Sequence, residues 1–359
     1  MTKRQRIVMI YPMQGFSGVY VRHIPLGLLY ASSNLVKQDY DVIIFDARLH
    51  PKDWREKLAE ILTAETVAVG FSVMSGTPIK SAQQIGRFVK SIRNDIAVIW
   101  GGPHATFNPM TILEEPSADF ALAGYAAETF PELINAIVDG RAPANVPGAY
   151  WRDDTHIECN DTPTTAFEYM GYEDIPYHLI EDYSVYGQLD QDKMIFSMYS
   201  AVGCPYQCTF CSSPAQYSNI PGKKWVPLGA KTVVNHIQYV VENHGANYIY
   251  FIDDDSFPRL DHVEAIIDEI AARGIKVKLG FRGARINEIK RMSDKFLTKL
   301  ANAGTDILHI GAECGSDRIL KLLKKNSTYD DIIECNRKLS RHPEITAAYN
   351  FMMGVPTET

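Results

Sequence analysis

The chain has 359 residues, 46% of them apolar and 22% charged, with a net charge of −7 and 6 cysteines. That length accommodates two domains with separate cores. The acidic balance argues against nucleic acid as a partner, which a basic face would meet. No run of about 18 apolar residues is present to span a bilayer, and the cysteines are too sparse for a disulfide-stapled secreted domain.

The first apolar run, Ile7-Val-Met-Ile10, is too short for a signal-peptide core and reads as a strand. With free thiols, this places the chain in the cytoplasm. Further strands are predicted at 42–46, 67–73, 97–101 and 120–124. Helical patterns lie between them at 26–37, 54–63, 79–92 and 128–138. Alternation of this kind predicts βαβ units and a parallel sheet. Runs such as Val67-Ala-Val-Gly-Phe71 are apolar without alternation, as strands covered on both faces should be. Residues 1–140 therefore read as a doubly wound, Rossmann-like α/β domain.

Residues 141–193 are less regular and read as a hairpin, with its turn at Asp153-Asp154, and a linker. The alternation resumes over 194–359. Strands are predicted at 195–199, 248–252, 277–281, 307–312 and 346–352, and helices near 232–243, 260–273, 293–303 and 329–340. The closing Gly354-Val-Pro-Thr-Glu-Thr359 resembles a strand end entering a helix, so a fragment truncated after its fifth strand is expected.

Between the first and second of these strands lies Cys204-Pro-Tyr-Gln-Cys208-Thr-Phe-Cys211, a C-x3-C-x2-C pattern. Three thiolates this close on a loop can grip one [4Fe–4S] cluster and leave one iron open to a small molecule. A structural zinc site is the alternative, but no fourth Cys or His follows at finger spacing; the next are His236 and Cys314. Cys314 and Cys335 read as small core residues.

This spacing, with Phe210 before the third cysteine, resembles the signature of radical S-adenosylmethionine (SAM) enzymes. The resemblance runs over residues 190–359 and implies a partial (β/α)6 barrel with Cys204, Cys208 and Cys211 on the cluster. It puts Phe210 where the family's backbone meets the adenine of SAM. The Asp253-Asp254-Asp255 run falls at the family's Gly-Gly-Glu motif, although no Gly-Gly is present, and Asp253 and Asp254 become candidates for the methionyl ammonium. Arg285 and Glu313 match residues of one subgroup and are candidates for the SAM carboxylate and ribose, since a guanidinium fork suits a carboxylate and an acid suits a diol. The plainer alternatives are helix capping by the aspartates and an Arg285–Glu313 salt bridge.

In the first half, Leu26-Gly27, Ser72-Val73-Met-Ser75-Gly76, Trp100-Gly101-Gly102-Pro and Ala123-Gly124 put small residues at strand and helix ends, where a ligand can lie against the backbone. These resemble the cobalamin-binding domain found ahead of many radical SAM barrels. The resemblance implies contacts from Gly27, Ser72, Val73, Ser75, Gly101, Gly102 and Gly124. The Asp-x-His-x-x-Gly loop that supplies a cobalt-ligating histidine in other cobalamin domains is missing, because this loop reads Tyr11-Pro-Met-Gln-Gly-Phe-Ser-Gly-Val-Tyr20. No Gly-x-Gly-x-x-Gly follows the first strand, which argues against NAD.

The family implies reductive cleavage of SAM to methionine and a 5′-deoxyadenosyl radical, hydrogen abstraction from an unactivated carbon, and methyl transfer from cobalamin. An electron donor such as flavodoxin or ferredoxin would supply the cluster. An oxidative cyclase like the anaerobic cyclase of bacteriochlorophyll synthesis would use the same cofactors. A third reading is a non-catalytic cobalamin sensor with a structural metal. Small-molecule, lipid and peptide substrates all stay open, since fold does not choose among them.

Overall fold

The computed structural model describes residues 4–15, 23–153, 156–162, 170–186, 193–218 and 220–358. Asp154 of the expected turn and parts of the linker fall outside them. The chain divides into two compact units, one from the residues up to 162 with 170–185, the other from 186 onward. Among the described residues no helix is long and apolar enough to cross a membrane.

The first unit runs β1 (Arg6–Tyr11), α1 (Leu26–Lys37), β2 (Asp41–Asp46), α2 (Trp54–Ile61), β3 (Thr66–Ser72), α3 (Thr77–Ile92) and β4 (Ala97–Gly101). It continues through α4 (Pro103–Phe107), α5 (Pro109–Ile112), β5 (Phe120–Leu122), α6 (Ala126–Val138), β6 (Ala149–Asp153) and β7 (His156–Cys159). One sheet joins them in the order β2-β1-β3-β4-β5-β6-β7, parallel through β5. Alternate residues along the strands point to opposite faces. Val8, Ile10, Val69, Phe71, Val98 and Trp100 pack with Trp54 and Leu58 of α2 and Ile85 and Val89 of α3. Ile7, Met9, Ala68 and Ile99 pack with Leu28 and Leu35 of α1 and Phe130, Leu133 and Ile134 of α6. Both faces are covered, which explains the unbroken apolar strands.

Two features depart from the sequence reading. The hairpin β6–β7, expected to lead into a linker, pairs antiparallel onto β5 and extends the first sheet. The stretch after Gly102 holds the short helices α4 and α5, each opened by a proline at its first position. Proline is tolerated there because the first-turn N–H would have no partner.

The second unit runs β8 (Ile195–Met198), β9 (Ala201–Gly203), α7 (Ser213–Ser218), β10 (Trp225–Pro227), α8 (Ala230–His244), β11 (Tyr248–Phe251) and α9 (Leu260–Ala272). Then come β12 (Lys278–Arg285), α10 (Ile286–Arg291), α11 (Asp294–Asn302), β13 (Thr305–Glu313), α12 (Asp317–Leu322), α13 (Tyr329–Leu339) and β14 (Thr346–Phe351). Five strands lie in the order β14-β13-β12-β11-β8, all parallel. Each neighbours its predecessor, the winding of a barrel arc, and β9 pairs antiparallel with β10 beside it. Val233, Ile237 and Val240 of α8, and Val263, Ile266, Ile267 and Ile270 of α9, are buried at helical spacing.

β12 runs four residues beyond the predicted end at Phe281, and its pairing with β13 shifts register between Phe281 and Ala284. Gly283 is the reason. A Cβ there would stand 2.8 Å from Asp255 Cα and 2.9 Å from the Asp254 carbonyl oxygen. Only glycine lets the strand pass so close over the 253–255 backbone.

Candidate cofactor sites

In parallel α/β sheets ligands gather beyond the C-terminal strand ends. The cysteine loop leaves β9 at Gly203 on that edge. Cys208 is buried, Cys204 half-buried and Cys211 exposed. Burial pushes the Cys204 thiol up to about 12, so metal binding there displaces a tightly held proton. Ser213 donates its backbone N–H to Cys211 Sγ at 3.5 Å. Thr209 ties the loop to the end of α12, donating its N–H to the Leu323 carbonyl at 3.3 Å and its hydroxyl to that of Leu322 at 3.1 Å.

Tetrahedral zinc with bonds of about 2.3 Å would draw three thiolates to within about 4 Å of one another. Among the described residues, the one set of three donors with ligating atoms all within 4.8 Å is the exposed Asp153 and His156 with the half-buried Glu158 of the β6–β7 hairpin. The three cysteine sulfurs are not all within 4.8 Å of one another, so they are not gathered around a single ion, and three thiol donors on one loop are the chemistry an iron–sulfur cluster takes.

The aspartate run separates into three roles. Asp253 is fully enclosed. Its Oδ1 accepts the N–H groups of Ser200 at 2.7 Å and Ala201 at 3.2 Å, and its Oδ2 the hydroxyls of Ser200 at 2.6 Å and Ser256 at 3.0 Å. Burial pushes it up to about 6 against the pull of these donors. It binds the end of β11 to the chain leaving β8, with no face left for a ligand. Asp254 is half-buried, accepts the Tyr217 hydroxyl and lies 3.8 Å from Arg282 Nη2. Asp255 is buried and accepts the Phe257 N–H at 3.2 Å. None of the three caps α9, which begins at Leu260.

Arg285 and Glu313 do not pair with each other. Glu313 takes a left-handed φ of 65° and its Oε1 accepts from Lys325 Nζ at 2.9 Å. Arg285 donates from Nη1 to Cys208 Sγ at 2.9 Å and from Nη2 to the Lys325 carbonyl at 3.0 Å. Its guanidinium carbon lies 3.8 Å from the Tyr206 ring centroid. The Tyr206 hydroxyl donates to Glu288 Oε1 at 2.8 Å, and Glu288 Oε2 accepts the Arg285 N–H at 3.0 Å. Burial, then the Glu288 charge, raises the Tyr206 hydroxyl. Burial likewise raises Glu288 and Asp255, which share a hydrogen bond. Phe210 is exposed, 5.9 Å from Lys325 Nζ at its centroid. Lys325, Tyr206 and Glu288 were missed by the sequence reading. Glu288 alone left a signal, standing three residues into the helix that Arg285 opens. Cys314 and Cys335 are buried core residues, as expected.

In the first unit, the strand order reverses between β1 and β3, the position where doubly wound sheets bind ligands. The expected cobalamin residues gather at that edge. Val73 donates its N–H to the Gly101 carbonyl at 3.0 Å, and Gly124 donates its N–H to Thr106 Oγ1 at 3.1 Å. Ser75 Oγ pairs with His104 Nδ1 at 3.0 Å, and burial lowers the His104 pKa. Gly27 is exposed at the start of α1, and a Cβ on it would lie 3.8 Å from Ser72 Oγ. Met74 and Tyr125 add exposed apolar surface beyond β3 and β5. Open glycine, small polar groups and exposed apolar side chains together fit a large amphipathic ligand. Gly102 has a different basis: at φ 85° its Cβ would stand 2.8 Å from Val73 N. Close packing of the chain itself requires that glycine, so a bulky side chain there does not isolate ligand binding.

These two sites define a cobalamin-binding module joined to a radical SAM module. Residues 17–134 match the B12 binding domain and residues 198–359 the Radical SAM superfamily. The chain belongs to the cobalamin-binding radical SAM enzymes, whose cofactors are cobalamin, SAM and a [4Fe–4S] cluster. It is 26% identical over 340 residues to an uncharacterized methyltransferase of Pyrococcus horikoshii, covering 93% of this chain and 70% of that protein. It is 24% identical to the anaerobic magnesium-protoporphyrin IX monomethyl ester cyclase of Rubrivivax gelatinosus, covering 99% of this chain and 63% of the cyclase. The fold resembles that of TsrM, a radical SAM methyltransferase from Kitasatospora setae solved with cobalamin and a [4Fe–4S] cluster. The TM-score is 0.75 at 18% identity, over 99% of this chain and 71% of that one.

Proposed function

We propose that the chain is a cobalamin-dependent radical SAM methyltransferase that methylates an unactivated carbon of a small-molecule, lipid or peptide substrate. The observation that carries this reading is the three-cysteine loop on the C-terminal edge of a parallel arc, in one chain with a B12-binding domain. Cys204, Cys208 and Cys211 would hold the cluster as thiolates, and three cysteine ligands on a four-iron cluster would leave one iron open to SAM. Asp254, Glu313 and the backbone at Phe210 are the SAM contacts in this reading, and Asp253 holds the loop behind them. Gly27, Ser72, Val73, Ser75, Gly101, Gly102 and Gly124 form the cobalamin face. When bound, the cluster supplies the electron for SAM cleavage and cobalamin carries the methyl group. A flavodoxin or ferredoxin in the cytoplasm would supply that electron.

A second reading, an oxidative cyclase, draws on the cyclase relative matched along 99% of this chain. The test is anaerobic reconstitution with cobalamin, SAM and a low-potential reductant, followed by mass spectrometry. About four irons per chain, 5′-deoxyadenosine, S-adenosylhomocysteine and a product heavier by one methyl unit are expected. 5′-Deoxyadenosine with a dehydrogenated, unmethylated product would favour the cyclase. Stoichiometric zinc and no SAM cleavage would overturn both.

A further inference from the structure

We infer that Arg285 is a positioning residue for the iron–sulfur cluster, holding the Cys208 sulfur by a charged hydrogen bond, and is not the residue that grips the SAM carboxylate. Both terminal nitrogens of its guanidinium are engaged, Nη1 with Cys208 Sγ at 2.9 Å and Nη2 with the Lys325 carbonyl at 3.0 Å. The Tyr206 ring covers one of its faces. The side chain is 6% exposed. An end-on bidentate grip on a ligand carboxylate needs both terminal nitrogens turned outward, and here they point at the loop and at the backbone.

The surrounding residues fix that geometry. Tyr206, in the middle of the Cys204–Cys208 spacer, is tied through its hydroxyl to Glu288, which also accepts the Arg285 N–H. Lys325, whose carbonyl receives Nη2, sits between Lys324 and Asn326 at left-handed φ values of 55° and 56°. Non-glycine backbone in that region is strained and persists where surrounding contacts enforce it. Arg285 Nε is enclosed and has no hydrogen-bond partner among the described residues. An N–H bond to a ligating sulfur disperses its negative charge and favours the reduced cluster, so it raises the reduction potential.

The inference rests on Cys204, Cys208 and Cys211 holding a cluster. The test uses the full chain, anaerobically reconstituted, as wild type, Arg285→Lys and Arg285→Gln. Iron content, the reduction potential of the cluster by paramagnetic-resonance titration, and SAM affinity by equilibrium dialysis are measured on each. Both variants should hold a cluster of more negative potential, Gln further than Lys, with SAM affinity within about threefold of wild type. A folded variant that loses iron would also support the role, since Cys208 would be unpinned. Wild-type potential with SAM affinity lowered tenfold or more would overturn the inference and return Arg285 to the SAM carboxylate. Hyperfine coupling to exchangeable protons, compared in H2O and D2O on the wild type, needs no variant. Absence of such coupling at the reduced cluster would also overturn it. A wild type that takes up no iron fails the cluster reading itself.

Discussion

Lys325 Nζ donates to Glu313 Oε1 at 2.9 Å, and both residues are almost wholly enclosed, at 5% and 7% exposure. The pair lies where two strained segments meet, Glu313 ending β13 at φ 65° and Lys325 between two left-handed residues. Gly311 abuts it, and a Cβ there would run into Glu313 Oε1 and stand 2.9 Å from Lys325 Nζ. The contact fixes the direction in which the Glu313 carboxylate points.

Removing one partner strands a buried charge, at a cost of about 3–5 kcal/mol. Glu313→Gln and Lys325→Met should each lower the unfolding midpoint, and the double variant should lose less than the sum of the two. A double-mutant cycle in denaturant measures this. Additive losses would mean that the two side chains do not interact.

Asp253 offers a sharper distinction between support and ligand contact. Asp253→Asn keeps an oxygen for the N–H groups of Ser200 and Ala201, and its amide can donate to the Ser200 and Ser256 hydroxyls. Asp253→Ala leaves those two N–H donors without an acceptor, at about 1–3 kcal/mol each. The alanine variant should therefore be strongly destabilised, and the asparagine variant should fold and bind SAM within a few-fold of wild type. Dialysis against SAM checks it; a stable asparagine variant that had lost SAM would make Asp253 a ligand contact.

For cobalamin, Gly27 is the cleaner probe than Gly102. Gly27→Leu puts a side chain into open space beside Ser72 and should leave the melting temperature near wild type while weakening hydroxocobalamin at least tenfold. Gly102→Leu forces a Cβ onto the Val73 backbone at a positive φ and should destabilise the unit with or without ligand. Absorbance titration with hydroxocobalamin beside thermal melts separates the two. Equal cobalamin affinity in wild type and Gly27→Leu would remove Gly27 from the binding face.

Much of this was legible in the sequence because it is written locally. The strand runs of the first sheet declare themselves by apolar continuity, and Cys204, Cys208 and Cys211 by spacing alone. The shared edge of Ser72, Gly101 and Gly124 followed from β/α alternation. What was not legible depends on contacts distant in sequence. No pattern within Lys324-Lys325-Asn326 tells that a lysine will turn inward to meet Glu313, twelve residues back. Nor does Arg-Ile-Asn-Glu reveal that Arg285 will reach Cys208, 77 residues away. The hairpin β6–β7 was visible as a hairpin, but its pairing with β5 is a choice of sheet edge that local residues do not encode.

His236 gives the last prediction, one of pH. It lies on the buried face of α8 at 2% exposure, and burial lowers its pKa from 6.5 to about 4. Its folded pKa is depressed, so above about 6.5 both states are neutral there and His236 adds no pH dependence. As the pH falls below 6.5 the unfolded chain takes up a proton that the folded chain refuses until about 4, and stability is lost across that window. The full loss is on the order of 3 kcal/mol. His236→Gln removes the titration and should flatten the fall in unfolding midpoint between pH 6.5 and 4, whatever its effect at pH 7. Denaturant melts of both proteins at half-unit steps measure it; parallel curves would show that His236 is protonated as easily in the folded protein as in the unfolded one.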